Sequence, residues 1–123
     1  MGLPVMLIAA VLACAPVAID GDTLRCGRER IRLIGIDAPE LPGHCRRGRK
    51  CVPGDAQASK RSLQAALRGR ATIRRFGFDR YGRTLASVAI GGNDLSCHQL
   101  RAGAAAYVAR WDTGGTVRRE CGR

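Results

Sequence analysis

Asp20, Asp22, Asp37 and Glu40 fall within one stretch of a chain that is otherwise poor in acids. That stretch, Ile19 to Glu40, reads IDGDTLRCGRERIRLIGIDAPE and sets Arg32 among the carboxylates. Carboxylates held close together repel one another unless positive charge lies between them. In a strongly basic chain the cluster is therefore a candidate cation site with an arginine beside it. The competing reading is structural. Asp20-Gly21-Asp22 would be a hairpin turn, because Asp and Gly tolerate the backbone angles, and Ala38-Pro39 would end a strand.

The 123 residues fit one domain, and 21 Lys+Arg against 10 Asp+Glu give a formal charge of +11. Such charge calls for a polyanionic partner, DNA or RNA first among them. Only Lys50 and Lys60 are lysines. Arginine's planar fork suits phosphate, but a GC-rich genome also enriches arginine, so the total charge carries the argument. A membrane surface would attract the same charge, yet no amphipathic basic helix marks the chain as a membrane binder.

Six cysteines in so short a chain point to an oxidising compartment and a disulfide-supported fold. Among fifteen connectivities, proximity favours Cys14 with Cys26, Cys45 with Cys51, and Cys97 with Cys121. His44 beside Cys45 and His98 beside Cys97 raise a zinc reading that no paired CxxC supports. Leu3 to Ala15 is an apolar run of signal-peptide length, too short to span a bilayer and without a basic segment before it. The expected cut lies between Ala10 and Ala13, giving a leader over 1–13 and a domain over 14–123. A lipoprotein site at Val11-Leu12-Ala13-Cys14 is the alternative. Either way the protein is expected to be exported, to the periplasm or the medium.

The elements that must position the cluster can be read in order. Val17 to Ile19 and Thr23 to Cys26 flank Asp-Gly as a hairpin. Arg30 to Ile36 is a third strand, with Gly35 a bulge or a point of close backbone approach. Gly43 to Gly54 is an Arg-, Gly- and Pro-rich loop. Asp55 caps an amphipathic helix running to Leu67, with Gly69 just beyond it. Ala71 to Phe76 and Thr84 to Ile90 are two more strands. Ser96 and Gln99 read as a capping box opening a short helix that stops at Gly103, with Leu100 in the core. Val117 to Cys121 reads as a final turn. The predicted fold is mainly β with helices: a five-stranded OB-fold barrel with a helix inserted after strand 3 and short C-terminal helices.

IDGDT, RLIGIDAPE and DRYGRTLA, in this order within Ile19 to Ala86, resemble the signature of the staphylococcal nuclease-like (thermonuclease) family. The resemblance implies an OB barrel and Ca²⁺-dependent hydrolysis of DNA and RNA that leaves 3′-phosphoryl ends, by a monomer. It implies metal carboxylates at Asp22 and Asp37 and a metal-binding carbonyl at Ala38, where the family often has Thr. It implies a water-activating carboxylate at Glu40 and phosphate-clamping arginines at Arg32 and Arg83. Substrate contacts are implied at Arg80 and Tyr81, and an aromatic contact near Trp111, where the family often has Tyr. Arg46, Arg47, Arg49, Arg74 and Arg75 read as solvated charge that attracts nucleic acid. The segment after Trp111 is short beside the family's usual helical tail. Two other function classes compete: an OB module that binds without cleaving, and a secreted cationic protein acting on membranes.

Overall fold

The computed structural model describes residues 8–122, so residues 3–7 of the apolar run lie outside it. The strands are β1 (Ala10–Val11), β2 (Val17–Asp20), β3 (Thr23–Cys26), β4 (Glu29–Leu33), β5 (Ile36–Asp37), β6 (Ala71–Phe78), β7 (Thr84–Ile90), β8 (Asn93–Asp94) and β9 (Ala106–Tyr107). The helices are α1 (Ala56–Ala66), α2 (Leu95–Arg101) and α3 (Thr116–Cys121). The main sheet runs β1-β6-β7-β4-β3-β2, with β8 on β7, and β4 and β7 are parallel.

The edges β1 and β2 are separated in the chain only by residues 12–16. Six flat strands would hold their edges about 24 Å apart, whereas a link of this length reaches about 21 Å. The sheet therefore rolls. Its inner face is closed by Leu24, Ile31, Leu33, Ile73, Val88 and Leu95, with Leu12 joining them from the link. The strands β2, β3, β4, β6 and β7, with α1 between β4 and β6, make the expected OB-type barrel with helices.

Helix α1 starts where Asp55 accepts the Ala58 amide at 2.9 Å, as expected of its cap. It packs on β2 and α2. Leu63 fills the core, and Gln64 Oε1 accepts the Ala18 amide at 2.8 Å. Helix α2 departs from expectation. Its cap is Asp94, which accepts the Cys97 amide at 2.9 Å, so Ser96 and Gln99 form no capping box. Both are buried and turned to other partners, described below.

The three expected bridges are present, with Cα separations of 5.6 Å for Cys14–Cys26, 6.2 Å for Cys45–Cys51 and 5.2 Å for Cys97–Cys121. The last bridge ties α2 to α3 beside a second small core of Ile34, Cys97 and Val117. Asp112 sets the entry to α3. Its carboxylate accepts the Val117 amide at 2.8 Å, the Arg118 amide at 3.0 Å and the Tyr107 hydroxyl at 2.7 Å. Among the described residues, no helix is long and apolar enough to cross a membrane.

Burial raises the Asp112 pKa, but the hydrogen bonds from Tyr107, Val117 and Arg118 outweigh it, so the group titrates below an ordinary carboxylate. A carboxyl depressed in the folded state stabilises above its unfolded pKa, and that contribution is lost as pH falls through the folded value. Urea denaturation across pH 2–7 should therefore show Asp112→Asn less stable than the parent near neutrality, with the gap closing below about pH 4. A gap independent of pH would exclude this account.

Candidate active site

Asp22 follows a turn whose glycine is required by crowding. A Cβ on Gly21 would lie 1.8 Å from Ser59 Oγ, 2.8 Å from Ser59 Cβ and 2.9 Å from Ala38 Cβ. The glycine lets α1 and the Ala38 segment close on the acidic turn from both sides. Gln99, fully buried, donates to the Gly21 carbonyl at 2.7 Å and the Ser59 carbonyl at 2.9 Å. The residue expected in a capping box thus clamps the acidic turn to α1. Asp22, 5% exposed, accepts the Thr23 hydroxyl and the Ala38 amide, each at 2.8 Å.

The third expected strand is broken. Gly35 has φ +77, so β4 stops at Leu33 and β5 turns away to pair with β9. A side chain at Gly35 would also meet Val117, with a Cβ 2.8 Å from its Cγ2. Arg32 spans the break from within. Its Nη1 donates to the Leu33 carbonyl at 3.0 Å and the Ile36 carbonyl at 2.9 Å. Its Nη2 lies 3.4 Å from Asp22 Oδ2 and 3.6 Å from Asp37 Oδ1. One guanidinium, 7% exposed, therefore draws together the carboxylates of two elements far apart in sequence.

The C-terminal segment laces onto the same break. Gly35 donates to the Trp111 carbonyl at 2.9 Å, and Val108 donates to the Gly35 carbonyl at 2.9 Å. This carries the Trp111 ring to 5.3 Å from the Arg32 guanidinium carbon. Ser96 completes the support by donating to the Ile34 carbonyl at 2.9 Å.

Around this floor lies a cleft of about 620 Å³ lined by Asp20, Asp22, Arg32, Glu40, Arg80, Tyr81, Arg83 and Trp111, among others. The Asp79–Arg83 turn forms one wall. Asp79 accepts the Tyr81 and Arg83 amides, each at 2.9 Å, and Arg83 Nε at 2.7 Å. Burial raises the Asp79 pKa, but these hydrogen bonds hold it below the usual carboxylate value. Three guanidinium groups gather on the Tyr81 ring, with Arg46 at 3.6 Å, Arg80 at 5.1 Å and Arg83 at 5.5 Å from its centre. Arg83 faces the cleft from this wall, and its charge partner is Asp79.

Besides Arg46, two more arginines read as solvated charge have defined partners. Arg75 forms a fork with Glu29, both bonds at 2.8 Å, on the outer face of the sheet. Arg49 lies in the site itself. Its Nη2 donates to both oxygens of Asp37 at 3.0 and 2.9 Å, and its Nη1 pairs with Glu40. Burial lowers the Arg49 pKa, but Asp37 and Glu40 more than reverse this. The PGHCRRGRKCVPG loop, rich in like charge, carries no mark in its spacing that separates Arg49 from Arg46 or Arg47. His44 pairs with Asp20 at 3.2 Å, and Cys45 and Cys51, close to Glu40, are bridged to each other. With every cysteine in a disulfide, none offers a zinc ligand.

A rolled sheet with a helix inserted between its third and fourth barrel strands, and a basic cleft with Asp20, Asp22 and Glu40 in its lining, define an OB-type barrel with a polar site on its side. Over residues 30–121 the chain matches the family described as Staphylococcal nuclease homologue, and it belongs to that family, one of nuclease hydrolases acting on nucleic acid. Asp20 and Asp22 precede the matched stretch; Arg32, Asp37, Ala38, Glu40, Arg80, Tyr81, Arg83 and Trp111 lie inside it. No curated protein matches the chain.

The crowding at Gly21 is testable. Gly21→Ala should lower unfolding free energy by about 1–3 kcal/mol in urea denaturation, because Ser59 Cβ and Ala38 Cβ cannot both withdraw without moving backbone. A loss below about 0.5 kcal/mol would mean that α1 yields freely there.

Proposed function

We propose that this protein is an exported, monomeric, Ca²⁺-dependent nuclease that hydrolyses DNA and RNA to 3′-phosphoryl products. One observation carries the reading: Asp22 and Asp37 converge on Arg32, and Asp22, Arg32 and Glu40 line an arginine- and aromatic-rich cleft. Nucleic-acid binding alone needs the positive charge; it gives no reason to gather carboxylates beneath it.

The donor set fits a hard cation. Asp22 and Asp37, with the carbonyl of Ala38, offer only oxygen, which suits Ca²⁺ and not a thiophilic metal. Asp22 uses part of its acceptor capacity on Thr23, Ala38 and Arg32, and four lone-pair sites leave room for one more partner. When bound, the cation supplies positive charge beside the scissile phosphate and helps to orient it.

The chain's own groups do the rest. Glu40 accepts a proton from the attacking water, whose oxygen forms a new bond to phosphorus. The bond from phosphorus to the 5′ oxygen breaks, and that oxygen leaves as a hydroxyl after taking up a proton. Arg32 and Arg83 donate to the phosphate oxygens as negative charge builds on them. The packing of Trp111 against Arg32 suits it to stack on a base, while Arg80 and Tyr81 meet a neighbouring phosphate. The three bridges accord with export to an oxidising compartment.

A binding-only role is the second reading, and Arg49 favours it: a guanidinium on Asp37 and Glu40 satisfies both carboxylates without any metal. Digestion of plasmid DNA and of RNA with calcium, with a chelator, and with end-group analysis separates the two. Calcium-dependent cleavage to 3′-phosphates is expected, and its absence favours the binder. Glu40→Ala and Arg83→Ala should each retain binding in a gel-shift assay while slowing cleavage by about 10²–10⁴. Unchanged turnover in either variant would remove that residue from the mechanism.

A further inference from the structure

Arg49 sits where a cation held by Asp37 would have to sit. Its Nη2 approaches both Asp37 oxygens at 3.0 and 2.9 Å while Nη1 pairs with Glu40. A calcium ion bonds carboxylate oxygens at about 2.3–2.6 Å, so ion and nitrogen compete for one space in front of Asp37. Arginine cannot release a proton to make room. The side chain has to move.

Its loop is built for that movement. Among its neighbours Cys45, Arg46, Arg47, Gly48 and Lys50 are exposed, and Arg49 itself keeps a third of its side-chain surface in water. Displacing it therefore costs little packing. The Cys45–Cys51 bridge limits how far it goes: the two sulfurs lie 3.6 and 3.9 Å from the Arg49 carbonyl oxygen. A six-residue separation between the bridged cysteines keeps the guanidinium at high local concentration over the site.

We propose that the disulfide-closed loop carries a built-in competitor for the cation, Arg49, which fills the site when the ion is absent and is displaced when it binds. The charges support the exchange. Asp22, Asp37 and Glu40 against Arg32 and Arg49 leave one net negative charge; without Arg49 they leave two, a stronger pull on a divalent ion. Arg49 thus sets the threshold of ion concentration at which the site fills. The inference rests on the cation reading proposed above, and the test tells the two apart.

Calcium binding is measured by titration calorimetry on the full chain and on Arg49→Ala, Arg49→Gln and Arg49→Lys, with intrinsic fluorescence recorded alongside. Trp111 is the sole tryptophan, and its ring centre is 5.7 Å from the Arg49 guanidinium carbon, so its emission reports the departure of that group. The Ala and Gln variants should bind at least roughly fivefold tighter than the parent, with Lys in between because its point charge cannot fork across Asp37 and Glu40. The calcium-induced fluorescence change of the parent should be largely lost in Arg49→Ala. Cys45→Ser/Cys51→Ser should also tighten binding, by freeing the loop. Equal affinities in parent and variants would overturn the competitor and leave the cation site standing. Weaker binding in Arg49→Ala would overturn it too, making Arg49 a support of the site. No calcium binding by any of the proteins would overturn both readings.

Discussion

A guanidinium sealed from water must be neutralised where it stands, and Arg32 meets that demand with two carboxylates and two carbonyls. Its partners come from the acidic turn after β2, from the end of β4 and from β5. Satisfying one buried charge therefore fixes the relative position of three segments. Removing either carboxylate would leave the buried arginine with one counter-charge fewer, and removing the arginine would take from Asp22 the guanidinium it shares with Asp37. Fold and site are the same arrangement at this point, and the surrounding contacts serve it. Gln99 fastens the acidic turn, Ser96 holds Ile34, and the strap from Val108 to Trp111 is pinned to Gly35.

Much of this was legible from local pattern. The hairpin around Asp-Gly, the helix after Asp55, the two later strands and the three cysteine pairs follow from turn chemistry, capping and nearness in sequence. The role of Gly21 was legible only in part. An Asp-Gly pair signals a turn, but the glycine is needed because Ser59 and Ala38 close on it, which no window of neighbouring residues reveals. Ser96 and Gln99 misled for the same reason. Their spacing suits a capping box, yet Ser96 lies inside the helix, its hydroxyl donating to the Ile34 carbonyl while the Gln99 amide donates to the carbonyls of Gly21 and Ser59. Asp94, one residue before the helix, takes the cap instead.

The structure draws Asp22, Asp37 and Arg32 together, residues that fall in two of the three sequence blocks, while Arg83 of the third pairs with Asp79. Arg49 was not legible. A loop carrying Arg46, Arg47, Arg49 and Lys50 looks like uniform solvated charge, and which of them turns inward depends on the bridge that curls the loop. Arg75 is exposed as read, and it also pairs with Glu29 on a distant strand. Long-range ion pairs leave no periodic trace in a sequence.

The parallel contact between β4 and β7, where Ile31 meets Thr84, has a kinetic meaning. The segment between β4 and β7 carries α1 and β6, so this pairing closes a long loop at a correspondingly larger entropy cost. Ile34 donates to Ala86 across the same seam, directly behind the break that Arg32 spans. The carboxylate cluster is thus braced by a pairing remote in sequence, whereas the Cys45–Cys51 ring spans a separation of only 6 residues.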